Sequence, residues 1–298
     1  MAVQLRSKIF EGSLPGPHVL ITGGVHGDEF EPLAAIRQLA PVLAENIQRG
    51  KVTLVPCVNE EAFLLGRRCA SDGLDLARTC PGRHDGSATE QVAAVLSELI
   101  RDADYYIDLH TGGTEFAIFP LTGYVLHADA KILEAQRKMA QAFNLPVVWG
   151  TSPNLEGRSL SVARDANVPA IYCEYAGTAT CSSDGVNAYI DGCLSVMAML
   201  EMIDWPKPAG IVAHTVEDAR PGSGHLQVRH PSPVDGFFEP AVQLGEEVAA
   251  GSRLGKVVSL SDEVSHHIDS EHAGIVLMLR TFPRVRAGES VGVVLEIT

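Results

Sequence analysis

Between residues 18 and 203 short apolar runs alternate with amphipathic helical patterns, and this alternation constrains the fold more than anything else in the chain. HVLIT (18 to 22) reads as a strand, and Leu33, Ile36 and Leu39 then recur at helical spacing as far as Gly50. KVTLVPCV (51 to 58) reads as a second strand. After a loop rich in Arg, Gly and Pro, a helix is predicted from Ser87, with Glu90 placed as in a capping box and an apolar face through Val92, Val95 and Leu99. DYYIDLH (104 to 110), FAIFPL (116 to 121), a helix over 128 to 143, PVVWG (146 to 150), PAIYCEYA (169 to 176) and a helix over 184 to 203 continue the pattern. Near-continuous apolar strands separated by helices predict an α/β fold, a mostly parallel or mixed sheet sandwiched by helices, with ligands beyond the carboxyl ends of the strands.

DWPKPAG (204 to 210) ends the alternation, and the sequence beyond it is β-like with frequent Gly and Pro. A catalytic domain over 1–205 and a small all-β domain over 206–298 are therefore expected. Within the tail, Val248-x-x-Gly251-x-x-Leu254-Gly255-x-Val257 recurs as Val285-x-x-Gly288-x-x-Val291-Gly292-x-Val294, so two similar halves should pack on each other. The repeat resembles the biotinyl/lipoyl-like fold, yet no lysine is flanked as a carrier lysine would be. A structural or oligomerising appendix, leaving a homo-oligomer open, is preferred over a carrier.

Twenty-three basic and thirty-seven acidic residues give a net charge of −14, which disfavours nucleic acid and anionic membranes as partners. The chain opens without a signal-peptide pattern and no run approaches eighteen apolar residues, so a cytoplasmic protein is expected. Its six cysteines are scattered without CxxC spacing and read as reduced thiols. Against the acidic background Arg67, Arg68, Arg78 and Arg83 crowd together, either as a solvated face or as a site for a small anionic ligand.

His26 and Glu29 form an HxxE beside two glycines that follow an apolar strand, which can aim an imidazole and a carboxylate at one metal ion. Chance alone supplies roughly one HxxE in a chain of this composition, and a second stands at His214 and Glu217, beside the expected linker. A catalytic zinc needs a third protein ligand. His110, ending YIDLH before Thr-Gly-Gly, is the best candidate, its alternative being a histidine satisfied by ordinary hydrogen bonds. Asp108 lies on the same strand face and could orient that imidazole. Glu174 interrupts the apolar PAIYCEYAG, either as half of a buried ion pair or as a general base whose pKa burial raises.

In order and spacing these pieces resemble the succinylglutamate desuccinylase/aspartoacylase family, of zinc carboxypeptidase-like fold. The resemblance runs through GGVHGDE (23 to 29), Asn59 with Ala62 and Phe63, Gly66 to Arg68, Asp72-Gly73-x-Asp75-Leu76-x-Arg78, Pro81-Gly82, DLHTGG (108 to 113) and PAIYCEYAG (169 to 177). It implies one zinc ion per chain held by His26, Glu29 and His110, with Glu174 as the catalytic base activating the zinc-bound water. Arg68, or its neighbour Arg67, would polarise the carbonyl, while Arg78 would bind a substrate carboxylate and Asn59 would help hold the substrate. The family's DLNR reads Asp75-Leu76-Ala77-Arg78 here, so one substrate-holding amide is missing. The implied reaction is hydrolysis of the amide of a small N-acyl amino acid or related amine. A metallocarboxypeptidase for small peptides, or a catalytically silent binding protein of the same fold, are the alternatives. A nucleotide site at GGVHG is disfavoured because neither GxGxxG nor the P-loop Lys-Ser/Thr pair is present.

Overall fold

The computed structural model describes residues 3–297. The first part of the chain forms β1 (Lys8–Glu11), β2 (Leu14–Thr22), α1 (Phe30–Asn46), β3 (Arg49–Val55), α2 (Glu60–Leu65), α3 (Ala88–Arg101), β4 (Tyr105–His110) and β5 (Phe116–Val125). It continues through α4 (Ala130–Phe143), β6 (Val147–Thr151), α5 (Ser159–Asp165), β7 (Ala170–Gly177) and α6 (Ser183–Met199). Apart from a one-turn 3-10 helix at Leu226–Val228, the tail is β: β8 (His214–Glu217), β9 (Gly236–Pro240), β10 (Glu247–Val248), β11 (Arg253–Ser259), β12 (Ser265–Asp269), β13 (Gly274–Arg280), β14 (Arg284–Val285) and β15 (Gly292–Leu295).

The expected helix-sandwiched mixed sheet is present. β3, β2, β4 and β7 run parallel in that order, and β5 is antiparallel to β7. Strand pleating divides the core. Val19 and Ile21 face a layer containing Ile36 of α1, Met139 of α4 and Val196 of α6, whereas Leu20 between them packs with Leu96 of α3 and Leu160 of α5. Helix α3 starts as the sequence predicts, since Ser87 N–H donates to Glu90 Oε2 at 2.8 Å and the Ser87 side chain accepts from Glu90 N–H. The short helix α2 falls in the segment the sequence suggests as loop, and α5 and the edge strand β1 fall where no element is expected, because each is too short for a periodicity to show.

The division expected at 205/206 is crossed by strand pairing. β8 lies parallel to β6, and β13 lies antiparallel to the Phe116–Ile118 end of β5, carrying β10 and β15 with it into the central sheet. Only β12, β11, β9 and β14 form a separate four-stranded antiparallel sheet. The two copies of the repeat do pack together: Val248, Leu254 and Val257 share one cluster with Val285, Val291 and Val294. Gly251 and Gly288 take the same left-handed turn, with φ of 82° and 86°.

Candidate active site

Three parallel strands bring the candidate groups to one edge. His110 ends β4 directly opposite Glu174 on β7, and Thr22 ends β2 opposite Asp108. Beyond Thr22 the turn GGVHGDE must fold back tightly. Gly24 has φ of 63°, and a Cβ at Gly27 would lie 2.0 Å from the Ala62 backbone, so α2 presses this turn into place. Asp28 Oδ2 accepts from Thr114 N–H at 2.8 Å and ties the turn to the loop that follows His110.

The Glu29 carboxylate lies between the two imidazoles, with Oε1 2.6 Å from His26 Nδ1 and Oε2 3.1 Å from His110 Nδ1. All three side chains are buried, and one ligand atom from each falls within 4.8 Å of the others. The other ring nitrogens also meet carboxylates: His26 Nε2 is 3.1 Å from Asp75 Oδ1, and His110 Nε2 is 3.1 Å from Asp108 Oδ2. Asp108 in turn accepts from the hydroxyls of Thr22 at 2.7 Å and Ser159, and Thr22 pairs with the Tyr106 hydroxyl at 2.8 Å. Tyr189 donates its hydroxyl to the carbonyl of His110. Two imidazoles and a carboxylate form a zinc donor set, and carboxylates on the distal nitrogens aim the imidazoles as metal ligands require. The residues therefore fit a zinc ion.

Burial would raise the Glu29 carboxyl, but His26 and His110 outweigh it and hold the group at about 2. Burial likewise opposes the His110 imidazolium, which Asp108 and Glu29 keep well above its ordinary range. Glu174 goes the other way. Burial pushes its pKa up to about 8, only partly offset by His110, and its Oε2 is enclosed with no hydrogen-bond partner among the described residues. The residue is nevertheless half-buried at the cleft wall, so solvent reaching it and a cation on the neighbouring ligands would both act to lower that value.

His26, Glu29, His110 and Glu174 line one cleft of about 110 Å³ together with Arg68, Arg78, Arg158, Tyr172, Leu226 and Gln227. Arg68 donates from Nε and Nη2 to Asp75 Oδ2 at 3.1 and 2.9 Å. Arg67 is exposed and lies outside the cleft lining. Arg78 lines the cleft and donates from Nη2 to Gln227 Oε1 at 3.3 Å. Asn59, expected to help hold the substrate, lies outside the cleft lining. Its Oδ1 accepts from Ala62 N–H at 3.1 Å to cap α2, and the side chain is buried away from the cleft. Glu217 of the second HxxE is held by Arg137 at 2.8 Å and by the Tyr124 hydroxyl at 2.6 Å, far along β8 from the cluster.

Sequence reasoning overlooks Arg158. Burial lowers its pKa to about 10, with Arg78 adding to the effect, and its Nε is buried without a partner among the described residues. A lone arginine in EGRSLS carries no spacing signal, and Thr22, Ser159 and Gln227 are equally silent until the chain is folded.

Residues 15–200 match the succinylglutamate desuccinylase/aspartoacylase catalytic domain. The chain belongs to that family. It is 29% identical over 291 residues to the N-alpha-acetyl-L-2,4-diaminobutyric acid deacetylase of Halomonas elongata, covering 95% of this chain and 83% of that one. A succinylglutamate desuccinylase/aspartoacylase crystal structure from Rhodobacter sphaeroides superposes with a TM-score of 0.88 at 28% identity, over 99% of this chain and 90% of the other. The product-bound ectoine utilization protein EutE (DoeB) of Ruegeria pomeroyi superposes with a TM-score of 0.85 at 26% identity, over 98% and 89% of the two chains. Family relatives are thus deacetylases and desuccinylases, enzymes of small molecules.

Proposed function

We propose that the chain is a zinc-dependent amidohydrolase that removes a short acyl group from an amino acid or amino-acid-like amine. The observation that carries this reading is one small cleft holding the His26, Glu29 and His110 donors, the unpartnered carboxylate oxygen of Glu174 and three arginines. A cavity of about 110 Å³ is well below the roughly 300 Å³ at which drug-sized sites begin, which favours an acylated amino acid over a peptide. The name of the Halomonas elongata relative supports the same class.

His26, Glu29 and His110 would hold the ion, with Asp75 and Asp108 keeping the imidazoles in position. When bound, zinc supplies a Lewis acid and brings the pKa of water toward about 7. Glu174 takes a proton from the attacking water and delivers it to the amine nitrogen as the carbon–nitrogen bond breaks, leaving a short carboxylic acid and a free amine. Two donors of Arg68 are engaged by Asp75, which fixes the guanidinium and leaves N–H groups of this cleft-lining arginine for the oxygen that gains charge. Arg78 and Arg158, both lining the cleft, supply the positive wall for a substrate carboxylate. Six free cysteines suit a reducing compartment, which we take to be the cytoplasm.

Elemental analysis of wild type and His110→Ala tests the centre. About one zinc per chain in the wild type and a loss in the variant are expected. Failure of the wild type to take up zinc overturns the reading.

A further inference from the structure

The cleft wall opposite the imidazoles is completed from the tail. Gly224, Leu226 and Gln227 line it beside Ala77, Arg78 and Arg158, although some 150 residues of chain separate Arg78 from Gln227. Arg158 fastens this segment, donating to Gly224 O at 3.2 Å and to His225 Nδ1 at 3.3 Å. Gly224 is buried with φ of 86°, and a Cβ there would come within 3.0 Å of Thr151 and Leu155 side chains, so the loop is seated against the catalytic part of the chain.

An arginine can only donate, so the Gln227 atom facing Arg78 Nη2 must be the carbonyl oxygen. That bond fixes the orientation of the carboxamide and leaves its two N–H donors without a protein acceptor among the described residues. Ala77, the neighbouring position on the wall, offers only a methyl group. We propose that Gln227 is a specificity-determining residue: its carboxamide, oriented by Arg78, donates to the substrate carboxylate and with the Arg78 and Arg158 guanidiniums makes a subsite of donors alone. Such a wall accepts a carboxylate and rejects an ammonium, because it offers the latter no acceptor. This inference rests on the deacylase reading for its substrate and on the tail contact for its geometry.

The test compares zinc-loaded wild type with Gln227→Leu and Gln227→Glu on N-acetyl amino acids and on the corresponding C-terminal carboxamides. Gln227→Leu should raise KM for the carboxylates about tenfold, with kcat and zinc content unchanged and a smaller rise in KM for the carboxamides, whose carbonyl accepts only a neutral hydrogen bond. Gln227→Glu, which sets a carboxylate against a carboxylate, should raise KM further. Equal KM in wild type and Gln227→Leu, or the same rise for both substrate series, overturns the proposal. Wild type that hydrolyses no N-acetyl amino acid overturns the deacylase reading. Calorimetric titration of the same compounds then decides the subsite: binding about tenfold weaker in Gln227→Leu supports it, and equal or absent binding overturns it.

Discussion

The two walls of the cleft are built on different plans. On one side His26, Glu29 and His110 stand at or just beyond the ends of parallel strands, buried, each imidazole nitrogen engaged by a carboxylate and Asp108 braced by Thr22 and Ser159. On the other side Arg68, Arg78, Arg158 and Gln227 come from three separate segments of loop and short 3-10 helix, half-buried or exposed, with N–H donors left over. On the proposed function, the difference separates two tasks. A metal site tolerates little error in ligand position and is placed on rigid strands with a second layer of hydrogen bonds. A carboxylate can be held by long donors that adapt, and the segments that carry them are free to vary with the substrate.

If this contrast is right, substitutions on the imidazole wall should act on chemistry and metal, and those on the arginine wall on substrate binding. The largest effect is expected for Glu174→Gln, with hydrolysis falling about 10²- to 10⁴-fold while elemental analysis finds zinc unchanged. Retained activity would remove Glu174 from the reaction. Asp108→Asn should cost about 10- to 100-fold in zinc affinity or activity, measured by competition with a chelator; wild-type affinity would show that the hydroxyl network is not needed to aim His110. Next comes Arg158→Ala, which should raise KM about tenfold through loss of a charge-assisted bond with kcat little changed, whereas Arg67→Ala should change neither. A fall in kcat alone for Arg158→Ala would place that arginine on the reacting carbonyl and blur the division.

The smallest effect lies midway along β2, outside the cleft lining. His18 bonds Thr53 at 2.9 Å and the carbonyl of Asp102 at 3.0 Å, and burial, helped by Lys51, lowers its pKa below the ordinary 6.5. Because the folded protein resists protonation there, the unfolded chain binds more protons below about 6.5, and the stability His18 contributes is lost as pH falls through that value toward the folded pKa. Denaturant unfolding of wild type and His18→Gln should converge as pH drops from 7 to 5. Parallel curves would mean that the imidazole titrates alike in both states.

The same contrast governs what the sequence reveals. His26, Glu29, His110, Asp108 and Glu174 can be picked out of the chain because each follows, ends or interrupts an apolar strand pattern and short motifs enclose them. The arginine wall is readable only as a local excess of charge: it suggests a ligand site, but its members at 158 and 227 join it through folding. Asn59 shows the converse, since a polar residue inside a recognisable motif turns out to serve as a helix cap. In the tail the repeated valine and glycine spacing discloses two matching halves, yet nothing in a strand's own sequence names its partner, so the pairing of β13 with β5 could not be anticipated.

That pairing has a consequence for the order in which the protein matures. Until residues 274–280 are synthesised, the side of Phe116–Ile118 that faces away from β7 has no strand to pair with. At roughly 5–20 residues per second the ribosome leaves this apolar edge bare for on the order of ten seconds. The nascent chain is then an unfinished sheet exposed to other nascent chains, and its last strands act as the closing seam that ends this vulnerability.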